Sequence, residues 1–431
     1  MASAGGHFFC IVTFYSMPFS ALGLSPALSA AAHAAGFVSA TPIQQAAVGA
    51  VLGGQDVLAI AHTGSGKTAA YLLPLLDRLA AFAATPPGRR PVRALVLVPT
   101  RELVVQVSSL AQTWAQALDL RVRAVFGGVS VNPQMLALRG GADLVVATPG
   151  RLLDLLERNA LIIEAVEVLV LDEADRMLDA GFAAEWERIA ALLPPRRQNL
   201  FFSATFPAAV QTLANALLRE PLRITLALDA AAAPAISHSA IAVDAGLRTR
   251  LLRHLLAQYG WDRVLVFVAT KFAAEIVADK LRKGGIAAEP LHGQLSQGKR
   301  SQVLSDFQAG RVAVVVATDL AARGIDIAQM PVVVHYDLPR SADDYTHRSG
   351  RTARAGDSGL AVSFVSADTE AHWQLICKRQ GLDPTLEVMD GFEPVHSATP
   401  RLHDPDGTGG IKGKRPSKKD KLRAAAAAAP S

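Results

Sequence analysis

The chain predicts an α/β fold made of two successive parallel-sheet domains joined by a short linker, and three observations carry that expectation. Val168-Leu-Val-Leu171 is an apolar run that stops abruptly at Asp172, Glu173, Ala174 and Asp175. This is the pattern of a buried central strand delivering carboxylates to the rim of a parallel sheet, where open α/β sheets bind ligands. A second apolar strand, Val57 to Ile60, runs into Ala61-His-Thr-Gly-Ser-Gly-Lys-Thr68 and then into a helical pattern from Ala69 to Ala83. Beyond an alanine-rich stretch, a further series of apolar runs begins, with helical patterns between most of them. With 431 residues, half of them apolar, there is enough chain for two substantial cores, and a 6% aromatic content argues against a β-sandwich.

The loop after Val57–Ile60 has the chemistry of a phosphate cradle. Gly64 and Gly66 let the backbone curl so that successive N–H groups face inward, and the following helix adds the positive end of its dipole. Lys67 would reach the β- and γ-phosphates of a nucleotide, and the Thr68 hydroxyl would hold Mg2+. Asp172, expected on a neighbouring strand, would hold the same ion, which leaves Glu173 to orient and deprotonate an attacking water. Ala61 stands where the strict loop pattern has glycine, but the glycines that the curl needs are present.

Together these residues carry a resemblance. The chain resembles the DEAD-box ATP-dependent RNA helicases from about Phe19 to Gly381, and in its compactness it looks most like the bacterial RhlE-type members. The resemblance implies two tandem RecA-like domains, ATP and Mg2+ as cofactors, and RNA-dependent ATP hydrolysis coupled to local unwinding. It also implies a nucleotide set of Phe19, Thr41, Gln44, Thr63, Gly64, Ser65, Gly66, Lys67, Thr68 and Asp326. Catalysis would fall to Lys67, Asp172, Glu173, Arg351 and Arg354.

Gly36-Phe-Val-Ser-Ala-Thr-Pro-Ile-Gln44, with Phe19 upstream, is similar to the family's adenine-reading motif. A carboxamide can accept from N6 and donate to N7 of adenine at once, so Gln44 and a stacked Phe19 would select ATP over GTP. Ala94-Leu-Val-Leu-Val-Pro99 is a buried strand, and Thr100-Arg-Glu-Leu103 opens a helix at a capping threonine. Phe126-Gly-Gly128 and Leu144-Val-Val-Ala-Thr-Pro-Gly-Arg151 add glycines and a helix start beside an arginine. Free N–H groups next to arginines suit phosphodiester oxygens. The resemblance assigns Pro99, Thr100, Arg101, Gly128, Thr148, Gly150, Arg151 and Thr318 to RNA. Asn199-Leu-Phe-Phe-Ser-Ala-Thr205 ends in two hydroxyls, and Ser203, Thr205, Asp175, His347 and Arg348 form the set that the resemblance gives to coupling between domains.

Residues 229 to 237, rich in alanine, read as the linker, so the expected domains are 17–228 and 238–385. The second has no phosphate loop of its own and would complete the nucleotide site across a cleft. Ala317-Thr-Asp-Leu-Ala-Ala-Arg-Gly-Ile-Asp326 resembles a motif that touches RNA through Thr318 and the ribose through Asp326. His347-Arg-Ser-Gly-Arg-Thr-Ala-Arg354 packs three arginines into seven residues, a clustering that is costly unless anions separate the charges. Arg351 and Arg354 are the expected arginine fingers. Ser349 stands where Ile is usual, Ala353 where Gly is usual, Gln294 where Asp often follows His292-Gly293, and His62 where Gln is frequent; none removes a catalytic group.

The net charge of +5 and a pI of about 9.3 favour a polyanionic partner. Two cysteines, Cys10 and Cys377, cannot build a disulfide framework or a zinc cluster, and a cytoplasmic location fits. His7-Phe-Phe-Cys-Ile-Val-Thr-Phe-Tyr15 lacks a basic flank and is too short to span a bilayer, so no membrane partner is expected. Residues 1–16 read as an extension outside the core, and Met17, where the resemblance begins, is the expected start. Residues 386–431 read as a disordered basic tail, with seven cations between Lys412 and Arg423 against Asp420 alone. The expected partner of a monomer is single-stranded or short duplex RNA, recognised without regard to sequence, in ribosomal precursors or the RNA-decay machinery. An ATP-switched RNA clamp without unwinding, and a DNA-directed ATPase, are the alternatives.

Overall fold

The computed structural model describes residues 17–62, 64–81, 90–179, 182–226, 235–322, 330–352 and 358–396. The first sheet holds β1 (Val57–Ile60), β2 (Ala94–Leu97), β3 (Val122–Val125), β4 (Leu144–Ala147), β5 (Val168–Asp172), β6 (Gln198–Ser203) and β7 (Leu222–Thr225). Its strand order is β3-β4-β2-β5-β6-β1-β7, parallel throughout. The central strands are apolar at almost every position because both faces are covered. Ala59, Val96, Val170, Leu200 and Phe202 point into one core, and Leu58, Leu95, Leu97, Leu169, Leu171 and Phe201 into the other. Truncating one of these, as in Leu171→Ala, removes about 2–5 kcal/mol of stability.

The second sheet is built from β8 (Ala235–Ala242), β9 (Val264–Val268), β10 (Ala288–Leu291), β11 (Val314–Thr318), β12 (Val332–His335) and β13 (Ser358–Val365). Their order is β10-β11-β9-β12-β13-β8, again parallel. Val264, Val266, Val314 and Val334 face one core, while Leu265, Phe267, Val315 and Val333 face the other.

Three differences from the sequence reading have physical causes. Asp172 is not on a strand next to the phosphate-loop strand, because β6 lies between β1 and β5. Ile60 sits beside Ser203 and Asp172 beside Phe202. Part of the expected linker, Ala235 to Ser237, is already strand, paired with Ser358 to Leu360 of β13. Serines and a histidine interrupt its apolar pattern, so tertiary pairing decides its conformation. The ordered second unit also runs past residue 385. Glu387 exchanges backbone hydrogen bonds with Ala240 and Ala242 at 2.7 and 2.9 Å, Phe392 is buried in the core, and Asp244 accepts from Val395 N at 3.0 Å. Residues 1–16, 229–234 and 397–431 lie outside the described residues, and so do the expectations for the leader, the rest of the linker and the basic stretch. Among the described residues, no helix is long and apolar enough to cross a membrane.

Candidate active site

The loop between β1 and the helix Lys67–Ala81 is shaped by two glycines, Gly64 at φ 85° and Gly66 at φ 94°. Gly66 is required twice over, since a Cβ there would also lie 2.5 Å from Gln44 Nε2 and 2.8 Å from Thr41 Oγ1. That close approach explains the spacing between the Gln44 motif and the loop. The Gln44 amide donates to Gly66 O at 3.1 Å, and its oxygen accepts from Thr41 N at 2.8 Å, closing the start of the helix Pro42–Leu52. Gln44 is therefore fixed against the loop. Phe19 packs as a core residue, 3% exposed and edge-on to Phe37, rather than as the open stacking surface the sequence suggested.

Lys67 is buried, and its Nζ donates to the carbonyls of Ala61 at 2.5 Å and His62 at 3.0 Å. Burial lowers the Lys67 amine, and the carboxylates of Asp172, Glu173 and Asp175 oppose that shift. Asp172 ends β5 with Oδ2 accepting from Tyr71 OH at 2.8 Å and Oδ1 from Glu173 N at 2.9 Å. Burial, and then the charge of Glu173, push its carboxyl up to about 6, with Lys67 opposing. A further cation at this point would restore the carboxylate. Among the described residues no three metal-ligating side chains cluster. Mg2+ held mainly by phosphate and water nevertheless needs only one or two protein oxygens, which Asp172 and Thr68 can supply. Ser65 is buried, and Thr68 lies next to Lys67 at the start of its helix.

Glu173 adopts φ 53°, a left-handed conformation costly for a residue with a side chain. Its Oε2 accepts from Arg176 Nη1 at 3.0 Å. Asp175, on the short helix Ala174–Asp179, joins the rest. Its Oδ2 accepts from Thr205 N at 3.0 Å and Thr205 Oγ1 at 2.8 Å, and its own N–H donates to Ser203 Oγ at 3.3 Å. Burial pushes Asp175 upward, but the Thr205 bond, His347 and Arg176 outweigh it, and the carboxyl is held below its ordinary range. His347 comes from the helix Ala342–Ser349 of the second unit. Burial and then Arg176 push its imidazole down to about 4 against the pull of Asp175 and Glu173. Asp172 to Asp175, Ser203, Thr205 and His347 are thus one neighbourhood.

Arg348 behaves differently from the expectation. It is 3% exposed and grips Asp319 at 2.5 and 2.7 Å and Asp337 O at 2.7 Å, all within the second unit. It anchors its own helix instead of bridging the units. Arg351, one turn on, is half-buried, and its charge helps to lower His347. Thr63, Asp326 and Arg354 lie outside the described residues.

The residues expected at RNA mostly share one hollow of about 490 Å3, lined by Pro99, Thr100, Arg101, Thr148, Gly150 and Arg151 from the first unit and by Gly293 and Arg300 from the second. Gly128, at φ 75°, leaves no room for a Cβ beneath the Arg101 guanidinium. Arg151 donates to Val129 O at 2.8 Å. Thr318 ends β11 and is half-buried, outside the hollow's lining. A second open hollow, lined by Asn132, Met135, Leu136 and Arg139 among others, contains none of the expected residues.

Sequence reasoning missed Tyr71, Arg176, and the buried Glu102–Arg300 ion pair at 2.8 Å that joins the units. Tyr71 is one helical turn beyond Lys67 and Arg176 one turn beyond Glu173, so helical spacing could have flagged both. Nothing local marks Arg300.

Residues 41–213 match the family model described as DEAD/DEAH box helicase, and residues 248–356 match the helicase conserved C-terminal domain. The chain is 43% identical over 365 residues to the ATP-dependent RNA helicase SrmB of Escherichia coli, covering 84% of this chain and 81% of the relative. It is 40% identical over 378 residues to the DEAD-box ATP-dependent RNA helicase 28 of Arabidopsis thaliana, covering 86% of this chain but 47% of that longer protein. Among solved structures, Saccharomyces cerevisiae Dbp5 bound to RNA and ADP BeF3 superposes with a TM-score of 0.76 at 29% identity, covering 87% of this chain and 96% of that one.

Proposed function

Because the chain belongs to the DEAD-box ATP-dependent RNA helicase family, we propose that it couples ATP binding and hydrolysis to RNA binding and the local opening of short duplexes. The observation that carries this reading is the Asp175 network. The carboxylate of Asp175 holds Thr205, its backbone N–H holds Ser203, and the residue lies close to His347 of the second unit. A change at the γ-phosphate can therefore be felt by a residue of the second unit.

In this reading Lys67, Thr41, Thr63, Gly64, Ser65 and Gly66 hold the nucleotide, with Asp326 at the ribose. Asp172 and Thr68 would hold Mg2+, which when bound neutralises phosphate charge. Glu173 orients the water and takes its proton as the new O–P bond forms and the bond to ADP breaks, while Arg351 and Arg354 stabilise the charge on the transferring group. Pro99, Thr100, Arg101, Gly128, Thr148, Gly150, Arg151 and Thr318 grip the RNA backbone, which makes recognition tolerant of sequence and suits ribosomal precursors or decay intermediates. We place this activity in a cytoplasmic monomer, with 17–228 and 235–396 as its working units and residues 229–234 as the link between them. Displacement of one strand from a short RNA duplex, followed with ATP and with a non-hydrolysable analogue, tests the proposal. RNA-stimulated ATPase without strand release would make the chain a clamp, and equal stimulation by matched DNA would make it a DNA-directed ATPase.

Two further expectations belong to this site. The Gln44 amide has a second donor and a second lone pair beyond its bonds to Gly66 and Thr41, enough to read adenine. Gln44→Ala is expected to narrow the preference for ATP over GTP by about 1–3 kcal/mol. The ratio of kcat/KM for the two nucleotides measures it, and an unchanged ratio removes Gln44 from base recognition. Truncation after residue 396 keeps the strand-like segment on β8 but deletes the basic stretch. It is expected to flatten the salt dependence of RNA affinity by up to about 5 units of slope, at about 0.7 per phosphate contact, while kcat at saturating RNA is retained. Titrations across salt concentrations decide it, since parallel slopes would mean that the basic stretch does not touch RNA.

A further inference from the structure

Arg176 is an unusual side chain for its position. It follows the acidic strand end, is 3% exposed, and carries a full guanidinium among Lys67, Glu173 and the imidazole of His347. A buried charge is tolerated when paired, and the pairing here is specific: Nη1 donates to Glu173 Oε2 at 3.0 Å. Glu173 itself stands on left-handed backbone at φ 53°, so its side chain is launched from a constrained point and then held at its tip. Arg176 N–H meanwhile donates to Asp175 Oδ1 at 3.1 Å, which fixes the turn from which the guanidinium reaches back.

We propose that Arg176 is a positioning residue for hydrolysis: its guanidinium pins Oε2 of Glu173 and leaves Oε1 to hold the attacking water. This rests on the reading of Glu173 as the general base. In the step itself the water oxygen bonds to the γ-phosphorus, the bond to the β-bridging oxygen breaks with its electron pair leaving on ADP, and the water proton passes to Oε1. Arg176 takes no proton and touches no reacting atom. It narrows the arc that a three-bond side chain could otherwise sweep, and a misplacement of about 1 Å in such a site costs on the order of 100-fold.

The test is steady-state and single-turnover ATPase of full-length R176A, R176Q and R176K at saturating RNA, beside E173Q, with thermal melts of each. Expected is a 10- to 100-fold fall in kcat for R176A and R176Q, with KM for ATP and the Kd for RNA within about threefold of wild type. R176K, which can still offer one charged donor to Oε2, should recover part of the loss. A merely structural role would lower the melting temperature and raise KM along with the fall in kcat, and lysine would rescue neither. Unchanged kcat in R176A and R176Q, with E173Q inactive, overturns the positioning role and leaves the base intact. A rise in kcat overturns it too, since the pair would then hold Glu173 back. An active E173Q removes the base on which the inference rests, a result separate from either. If R176A does not fold, R176Q and R176K still carry the comparison.

Discussion

Glu173→Gln is expected to bind RNA in the presence of ATP as the wild type does, and to turn over about 10²- to 10⁴-fold more slowly, the range a positioned base supplies. Gln has the same length and can keep its carbonyl on Arg176 Nη1, so neither the 3.0 Å contact nor the backbone at φ 53° has reason to move. What disappears is the capacity to accept the water proton. The separation of binding from chemistry is the informative part, because loss of the carboxylate also removes a charge that pushes Asp172 upward. Nucleotide binding should therefore not suffer. RNA anisotropy with ATP, measured beside single-turnover hydrolysis, checks both halves; hydrolysis within a few-fold of wild type would strip Glu173 of its role.

Arg351→Ala is expected to lower kcat by about 10³-fold or more, on the order of 4 kcal/mol of transition-state stabilisation. The fold should not pay for it. The helix that precedes Arg351 is fastened by Arg348 to Asp319 and to Asp337 O, and Tyr345 is stacked on His335 with ring centroids 4.5 Å apart. Neither anchor uses the Arg351 guanidinium. Unchanged melting with collapsed turnover would mark a residue acting on the transferring phosphoryl group from the second unit. A kcat within a few-fold of wild type would show instead that the second unit adds no charge to the reaction.

The contrast between Arg348 and Arg351 shows what could be read from the sequence and what could not. Both stand in one basic run, and the residue types state that anions must lie among them. Only the fold decides that one anion is Asp319, on the helix after β11. In the same way the phosphate loop and the acidic strand end were legible because each is a strand, a turn and a helix contiguous in the chain. The insertion of β6 between them was not, since strand order is set by which faces pack. Ser203 and Thr205 gain their meaning from that insertion. β8 escaped notice because its pairing partner, β13, lies at the far end of the domain, and a strand whose apolar pattern is broken by Ser237-His-Ser239 carries little signal of its own. The Glu102–Arg300 pair needed both units in place before it existed at all.

The position of β7 and β8 at the outer edges of their sheets bears on how the chain is synthesised. The last strand of the first sheet is complete at Thr225, so that half can close its ladder on the ribosome while the second is still being made. The second half has no such advantage. β8 is the first of its strands to emerge, and its one neighbour among the described strands is β13, the last. From Ala242 until Ser358 appears, β8 has no partner in its own sheet, and an exposed strand edge invites pairing with other chains. Stalled nascent chains ending near residue 300 should accordingly be protease-resistant in the first unit and sensitive throughout the second, and that interval is when a ribosome-bound chaperone would have most to shield.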